Sequence, residues 1–119
     1  MRGLGTDIIE ISRIAEAIRK ARFVQRVYTE AEQAYLRDAG NLTAQSAAGL
    51  FCAKEAVAKA LGTGLAQGVA FTDIEISHTA AGAPQAHVRG REGLEILVSI
   101  SHCKDYATAT ALIQEGGHA

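Results

Sequence analysis

The sequence is poor in cysteine and proline, and it has no long apolar run. No hydrophobic stretch approaches the roughly 18 residues that a bilayer-spanning helix requires. The start shows no basic region leading into an apolar one, so no secretory leader is read there and a cytoplasmic location is expected. The two cysteines, Cys52 and Cys103, form no CxxC pair, which removes a disulfide framework. Cys52 falls inside a predicted helix, where a thiol behaves as a small buried hydrophobe. The four histidines lack the spacing of zinc ligands. Net charge is -1, so the overall charge points to neither nucleic acid nor a membrane surface.

What remains is an ordinary soluble composition, with 48% hydrophobic and 21% charged residues over 119 positions. One domain over residues 1–119 is expected. Charge is uneven locally. Ile11 to Tyr28 carries Arg13, Arg19, Lys20, Arg22 and Arg26 against a single acid, Glu16. Such a run is either a solvated face or a docking surface for an acidic partner.

The order of elements can be read along the chain. Alternation over Met1–Ile11 predicts a strand with Gly5, Asp7, Ile9 and Ile11 on one face. Ser12 is expected to cap a helix that buries Ile14, Ala17, Ile18 and Ala21. Thr29 and Glu32 fit a capping box opening a second helix that runs to about Arg37. A long helix is expected from Thr43 to Gly62, with Gly62 or Gly64 as its left-handed end. Strands follow at Phe71–Ser77, Gln85–Val88, Leu94–His102 and Tyr106–Ile113. The first two are separated by a turn at Ala80–Pro84, which holds the only proline. The last two are joined by Cys103-Lys104-Asp105, and Gln114 to Ala119 should fray. The class is α+β, with a largely antiparallel sheet.

The chemistry concentrates in Phe51 to Gly64. On a helix, Ala47, Leu50, Phe51, Val57, Ala58 and Leu61 form one apolar arc. Glu55 and Lys59 stand at its edge, about 40° apart, and can serve as an ion pair or as two arms on one ligand. Lys54 points into the middle of the arc. Burial there requires a carboxylate, a ligand or another subunit as partner. Asp7 shares its strand face with two isoleucines and is equally in need of a partner. Two carboxylates completed by water and substrate phosphates are a usual way to hold magnesium. Gly62-Thr63-Gly64 follows its helix instead of opening one, so phosphate cradling at a helix N-terminus is not expected there. Val98, Ile100 and His102 share a face, and Cys103 points away from His102, which argues against a Cys-His dyad.

Three blocks, Gly3-Leu4-Gly5-Thr6-Asp7 with Arg13-Ile14, Phe51 through Gly64, and Ser99-Ile100-Ser101-His102 with Tyr106-Ala107, resemble the holo-acyl-carrier-protein synthases. These are the small 4′-phosphopantetheinyl transferases of bacterial fatty-acid synthesis. Arg22-Phe23, Arg26 and Thr29 to Glu32 extend the resemblance over nearly the whole chain. It implies transfer of 4′-phosphopantetheine from coenzyme A to a serine of apo-acyl-carrier protein, with release of adenosine 3′,5′-bisphosphate. It implies magnesium held by Asp7 and Glu55, a phosphate contact from Lys59, and coenzyme contacts from Gly62, Gly64, Pro84 and His102. Glu55, Lys59 and His102 become the catalytic candidates. Arg13, Arg22, Phe23 and Arg26 become the docking surface for the acidic carrier protein. A homotrimer with active sites between subunits is also implied. The sequence departs from the family at Leu50, where a basic residue is common, and at Ala83, where lysine is frequent in the Gly-x-Pro turn. The general base stays open between a metal-bound water, Glu55 and an acid of the carrier protein. A binding module for an acidic protein and a small pyrophosphatase are the competing readings.

Overall fold

The computed structural model describes residues 3–62 and 68–115. The elements run β1 (Gly3–Glu10), α1 (Ile11–Ala17), α2 (Ala21–Val27), α3 (Glu30–Arg37), α4 (Thr43–Ala60), β2 (Ile74–His78), β3 (Pro84–Val88), β4 (Leu94–His102) and β5 (Tyr106–Glu115). The α+β class and the antiparallel pairing are as expected. The strands form two separate sheets, β1-β5-β4 and the hairpin β2-β3.

Several local expectations are corrected. Ser12 does not cap α1. Glu10 occupies the N-cap position with no side-chain hydrogen bond, and Ile11 is helical where a strand was expected. The basic segment is two helices, because the backbone leaves the helix after Ala17 and re-enters it at Ala21. Phe71–Asp73 is a 3₁₀ turn, so β2 begins at Ile74. Gln114 and Glu115 extend β5 opposite Glu95 and Leu94; residues 116–119 lie outside the described residues, as does Gly64. The capping box at Thr29 and Glu32 is realised on both sides. Gly62 terminates the long helix at φ +83°, in the left-handed region that glycine enters without steric cost.

The central strand is β5. Its inward residues Ala107, Ala109 and Ala111 are buried and small, which lets α4 lie directly on the sheet. β1 is held even closer to that helix. A Cβ on Gly5 would collide with the Ala56 carbonyl, so glycine is required for this approach. The register places Asp7 opposite Ala109 and Ala109 opposite Ile100. Asp7 therefore stands on one edge strand and His102 on the other, with β5 between them. The outer face of the sheet exposes Leu4 (71%), Ile8 (64%), Leu97 and Leu112, and Leu4, Leu112 and Leu97 lie in one row across the strands.

Candidate active site

The close approach of β1 to α4 brings Asp7 to the exposed edge of the helix. Lys59 Nζ donates to Asp7 Oδ1 at 3.2 Å and to the Thr6 carbonyl at 3.0 Å. The ammonium thus bridges helix and strand, and among the described residues it makes no ion pair with Glu55 one turn earlier. Lys59 is half-exposed and Asp7 largely covered. Glu55 is half-buried beside them. Burial raises its pKa above the ordinary carboxylate value, and the negative charge of Asp7 adds to that rise, while Lys59 opposes it. Among the described residues, two partly buried carboxylates with one half-exposed ammonium between them leave unmet demand for positive charge.

Cys52, one turn before Glu55, packs against the same corner. Its thiol donates to the Ala107 carbonyl at 3.4 Å. Burial, followed by the charge of Asp7, pushes its pKa up to about 12. It is a wall of the site and stays a neutral thiol.

The donor set suits a hard divalent cation. Asp7 and Glu55 supply oxygen only, and no cluster of three or more His, Cys, Asp or Glu side chains able to hold a metal occurs among the described residues. Two carboxylates with water and substrate phosphates completing the shell is the habit of magnesium.

The other expected site residues gather elsewhere. Pro84 and His102 line a cavity of about 320 Å³ on the α4-facing side of the sheet, at the edge opposite Asp7. Leu50, Gly82, Tyr35 and His78 share that cavity. Asp7, Glu55 and Lys59 do not line it. Gly62 is exposed just past the helix end, on the Lys59 side. The expected site residues therefore fall in two separate places on the chain.

The basic segment builds a third surface. Lys20, Arg22, Phe23 and Arg26 line a groove of about 870 Å³ between the ends of α1 and α2. Arg13 is exposed on α1, outside that groove. Phe23 is half-buried, edge-on to Tyr28 and stacked on Phe51 at 6.1 Å.

Lys54 has the partner its position requires. Its Nζ donates to Glu32 Oε1 and to the Ile74 carbonyl, both at 2.6 Å. Glu32 was legible as a capping residue, and its second role was not. The same carboxylate accepts from Thr29 N at 2.9 Å and from Ile76 N at 2.7 Å. One buried ion pair thus ties α3, α4 and β2 together.

The profile of the family described as the 4'-phosphopantetheinyl transferase superfamily matches residues 3–111. The chain belongs to this family. Holo-[acyl-carrier-protein] synthase of Chlamydia pneumoniae is 50% identical over 115 residues, covering 92% of this chain and 93% of that protein. Its counterpart in Oceanobacillus iheyensis is 45% identical, covering 94% and 95%. The fold is similar to the crystal structure of the synthase from Bacillus anthracis in complex with CoA (3',5'-ADP), with a TM-score of 0.86, 35% identity, and coverage of 95% and 96%. It is also similar to the Helicobacter pylori synthase in complex with coenzyme A, with a TM-score of 0.84, 30% identity, and coverage of 93% and 99%. The chain is a transferase of the holo-acyl-carrier-protein synthase type.

Proposed function

We propose that the chain transfers 4′-phosphopantetheine from coenzyme A to a serine of an acidic apo-acyl-carrier protein. The observation that carries this reading is the trio of Asp7, Glu55 and Lys59 at one corner, in a chain 50% identical to a holo-acyl-carrier-protein synthase. The serine Oγ forms a bond to the β-phosphorus and passes its proton, directly or through a base, to solvent. The bond from that phosphorus to the bridging oxygen breaks, and adenosine 3′,5′-bisphosphate leaves. Such a reaction needs charge neutralisation and in-line positioning more than a covalent catalyst. Asp7 and Glu55 would hold magnesium, which supplies charge stabilisation for the pyrophosphate when bound. Lys59, already oriented by Asp7 and the Thr6 carbonyl, offers a fixed ammonium to the phosphate oxygens. Gly62, at the turn that ends the Lys59 helix, would contribute a backbone contact to the coenzyme. Arg13, Arg22 and Arg26 steer the acidic carrier protein, with Phe23 as an apolar contact among them.

His102 and Pro84 belong to the same active site if a second copy of the chain supplies them. The outward row of Leu4, Leu112 and Leu97, with Ile8 beside it, is an apolar sheet face that a homotrimer would cover. In that assembly the Asp7 half-site of one protomer meets the His102 half-site of the next. Coenzyme A and carrier proteins meet in the cytoplasm, where we place the reaction.

The test incubates the protein with coenzyme A, magnesium and an apo-carrier protein, with mass spectrometry of the carrier. A phosphopantetheine adduct on the serine is expected. Unmodified carrier across several carrier proteins would refute the reading.

A further inference from the structure

The hairpin β2–β3 is a sheet of its own, and among the described strands β2 pairs only with β3. Two strands alone are marginal in water. The Asp73 carbonyl accepts from Arg89 N, and Thr79 N donates to the Ala83 carbonyl. By the alternation of an antiparallel pair, the backbone groups of Ile74 and Ile76 between them face away from β3, toward an edge with no described strand beside it.

A buried ion pair occupies that edge. Lys54 Nζ donates to the Ile74 carbonyl at 2.6 Å, and Glu32 Oε2 accepts from Ile76 N at 2.7 Å. The pair supplies the donor and the acceptor that a neighbouring strand would supply. One turn further along α3, Tyr35 lies flat on the His78 ring at 4.4 Å. α3 thus holds β2 at two points, and Lys54 ties it to α4.

Apolar packing also holds the hairpin, through buried Ile74, Ile76, Ala86 and Val88. Such packing is non-directional and fixes no position along the strand. Hydrogen bonds do fix one. The hairpin carries something that needs placing. His78 ends β2 and Pro84 begins β3, and with Gly82 they form one wall of the cavity that His102 borders from β4. Neither Glu32 nor Lys54 lines that cavity.

We propose that Glu32 and Lys54 are positioning residues for the coenzyme. By clamping the open edge of β2, they set where the His78–Pro84 wall stands over the cavity. The inference rests on the coenzyme A reading above.

Glu32→Gln keeps the volume, and its oxygen can still serve Thr29 N and Lys54, but it turns an amide donor toward Ile76 N. Adding Lys54→Met removes the buried charge that Gln leaves unpaired, and so protects the fold. Adenosine 3′,5′-bisphosphate is titrated calorimetrically into the intact parent and both variants, and KM is measured for coenzyme A and for carrier protein. In the variants the Kd and the coenzyme KM should each rise about tenfold, the value of one good contact. The carrier KM should stay near its parental value. A fall in kcat with parental Kd and KM would mean only that fewer molecules are folded, and would overturn the positioning role. Equal rises for both substrates would overturn it too. Hydrogen exchange tests the clamp without any variant: the Ile76 amide of the parent should be as protected as that of Ala109 in β5, and fast exchange at Ile76 would overturn the inference. If the parent transfers nothing while the Kd rises as expected, the reaction is refuted and the clamp stands.

Discussion

Lys54 and Glu32 meet at 2.6 Å with both side chains fully withdrawn from solvent. The pair joins three elements, and Glu32 satisfies two backbone amides as well as the ammonium. Burial lowers the pKa of Lys54, and the charge of Glu32 opposes that shift. Removing one partner strands the other in the core. Lys54→Ala is expected to cost about 3–5 kcal/mol, against less than about 1 kcal/mol for Lys59→Ala at its half-exposed pair. Urea denaturation of both variants checks this. Equal losses would show that the buried pair does not fasten the three elements.

Glu55 is expected to trade stability for activity. Its raised pKa means that the folded state holds the proton more tightly than the unfolded chain does. Ionisation of Glu55 therefore lowers stability as pH rises through the folded pKa. Glu55→Gln should unfold at the same or a higher temperature than the parent at pH 7 without magnesium. Well below the ordinary carboxylate range the two should converge, because the carboxyl is then protonated in both folded and unfolded states. Transfer activity should fall by about 10²–10³-fold. A marked loss of thermal stability at pH 7, or wild-type turnover, would contradict this account.

Two inactive variants should repair each other. In the proposed homotrimer, Glu55→Gln would spoil one half of each site and His102→Ala the other, and mixed assemblies would contain interfaces where both intact halves meet. Co-expression is expected to restore about a quarter of parental site activity under random mixing in a cyclic trimer. Recovery no greater than the sum of the separate variants would place the whole site within one protomer.

The cysteines should differ sharply toward a thiol reagent. Cys52 is buried with a pKa of about 12, and Cys103 is exposed on the β4–β5 hairpin. At pH 8 about one Cys52 thiol in 10⁴ is ionised. Native protein treated with iodoacetamide should take up a single label, and peptide mapping should find it at Cys103. Comparable labelling of both would mean that the α4 corner opens readily.

Charge reversal on the basic surface should act on one substrate only. Arg13→Glu with Arg26→Glu is expected to raise the KM for carrier protein about tenfold or more at low salt and to leave that for coenzyme A near its parental value. The effect should shrink as salt shortens the screening length toward about 8 Å. Equal rises for both substrates would refute docking there.

The sequence disclosed elements whose signals are local. β4 runs from Leu94 to His102 as its alternation indicated, and Thr29 with Glu32 forms the capping box that the spacing announced. Asp7 stood out because a carboxylate on an apolar strand face needs a partner, which Lys59 supplies, and Glu55 and Lys59 stood out as opposite charges one turn apart at the edge of an apolar arc. The break after Ala17 was not legible. Neither glycine nor proline marks it, and Arg19 and Lys20 are good helix formers. The partner of Lys54 was hidden because Glu32 already had a local explanation. The separation of His102 from Glu55 was hidden for a different reason. Alternation tells which face of a strand a residue occupies, but not how many strands lie between two residues on that face.

The central position of β5 has a consequence for how the protein comes into being. β1 pairs only with β5 among the described strands, and Gly3 faces Ile113. The strand carrying Asp7 must therefore wait for almost the whole chain before it has a strand to pair with. Closing so large a loop is slow compared with forming local helices. On the ribosome, α4 with Glu55 and Lys59 can form early while its carboxylate partner remains unanchored. The corner where Asp7 and Glu55 meet is assembled only once Tyr106–Glu115 has been made, so an unfinished chain cannot yet present its two carboxylates together.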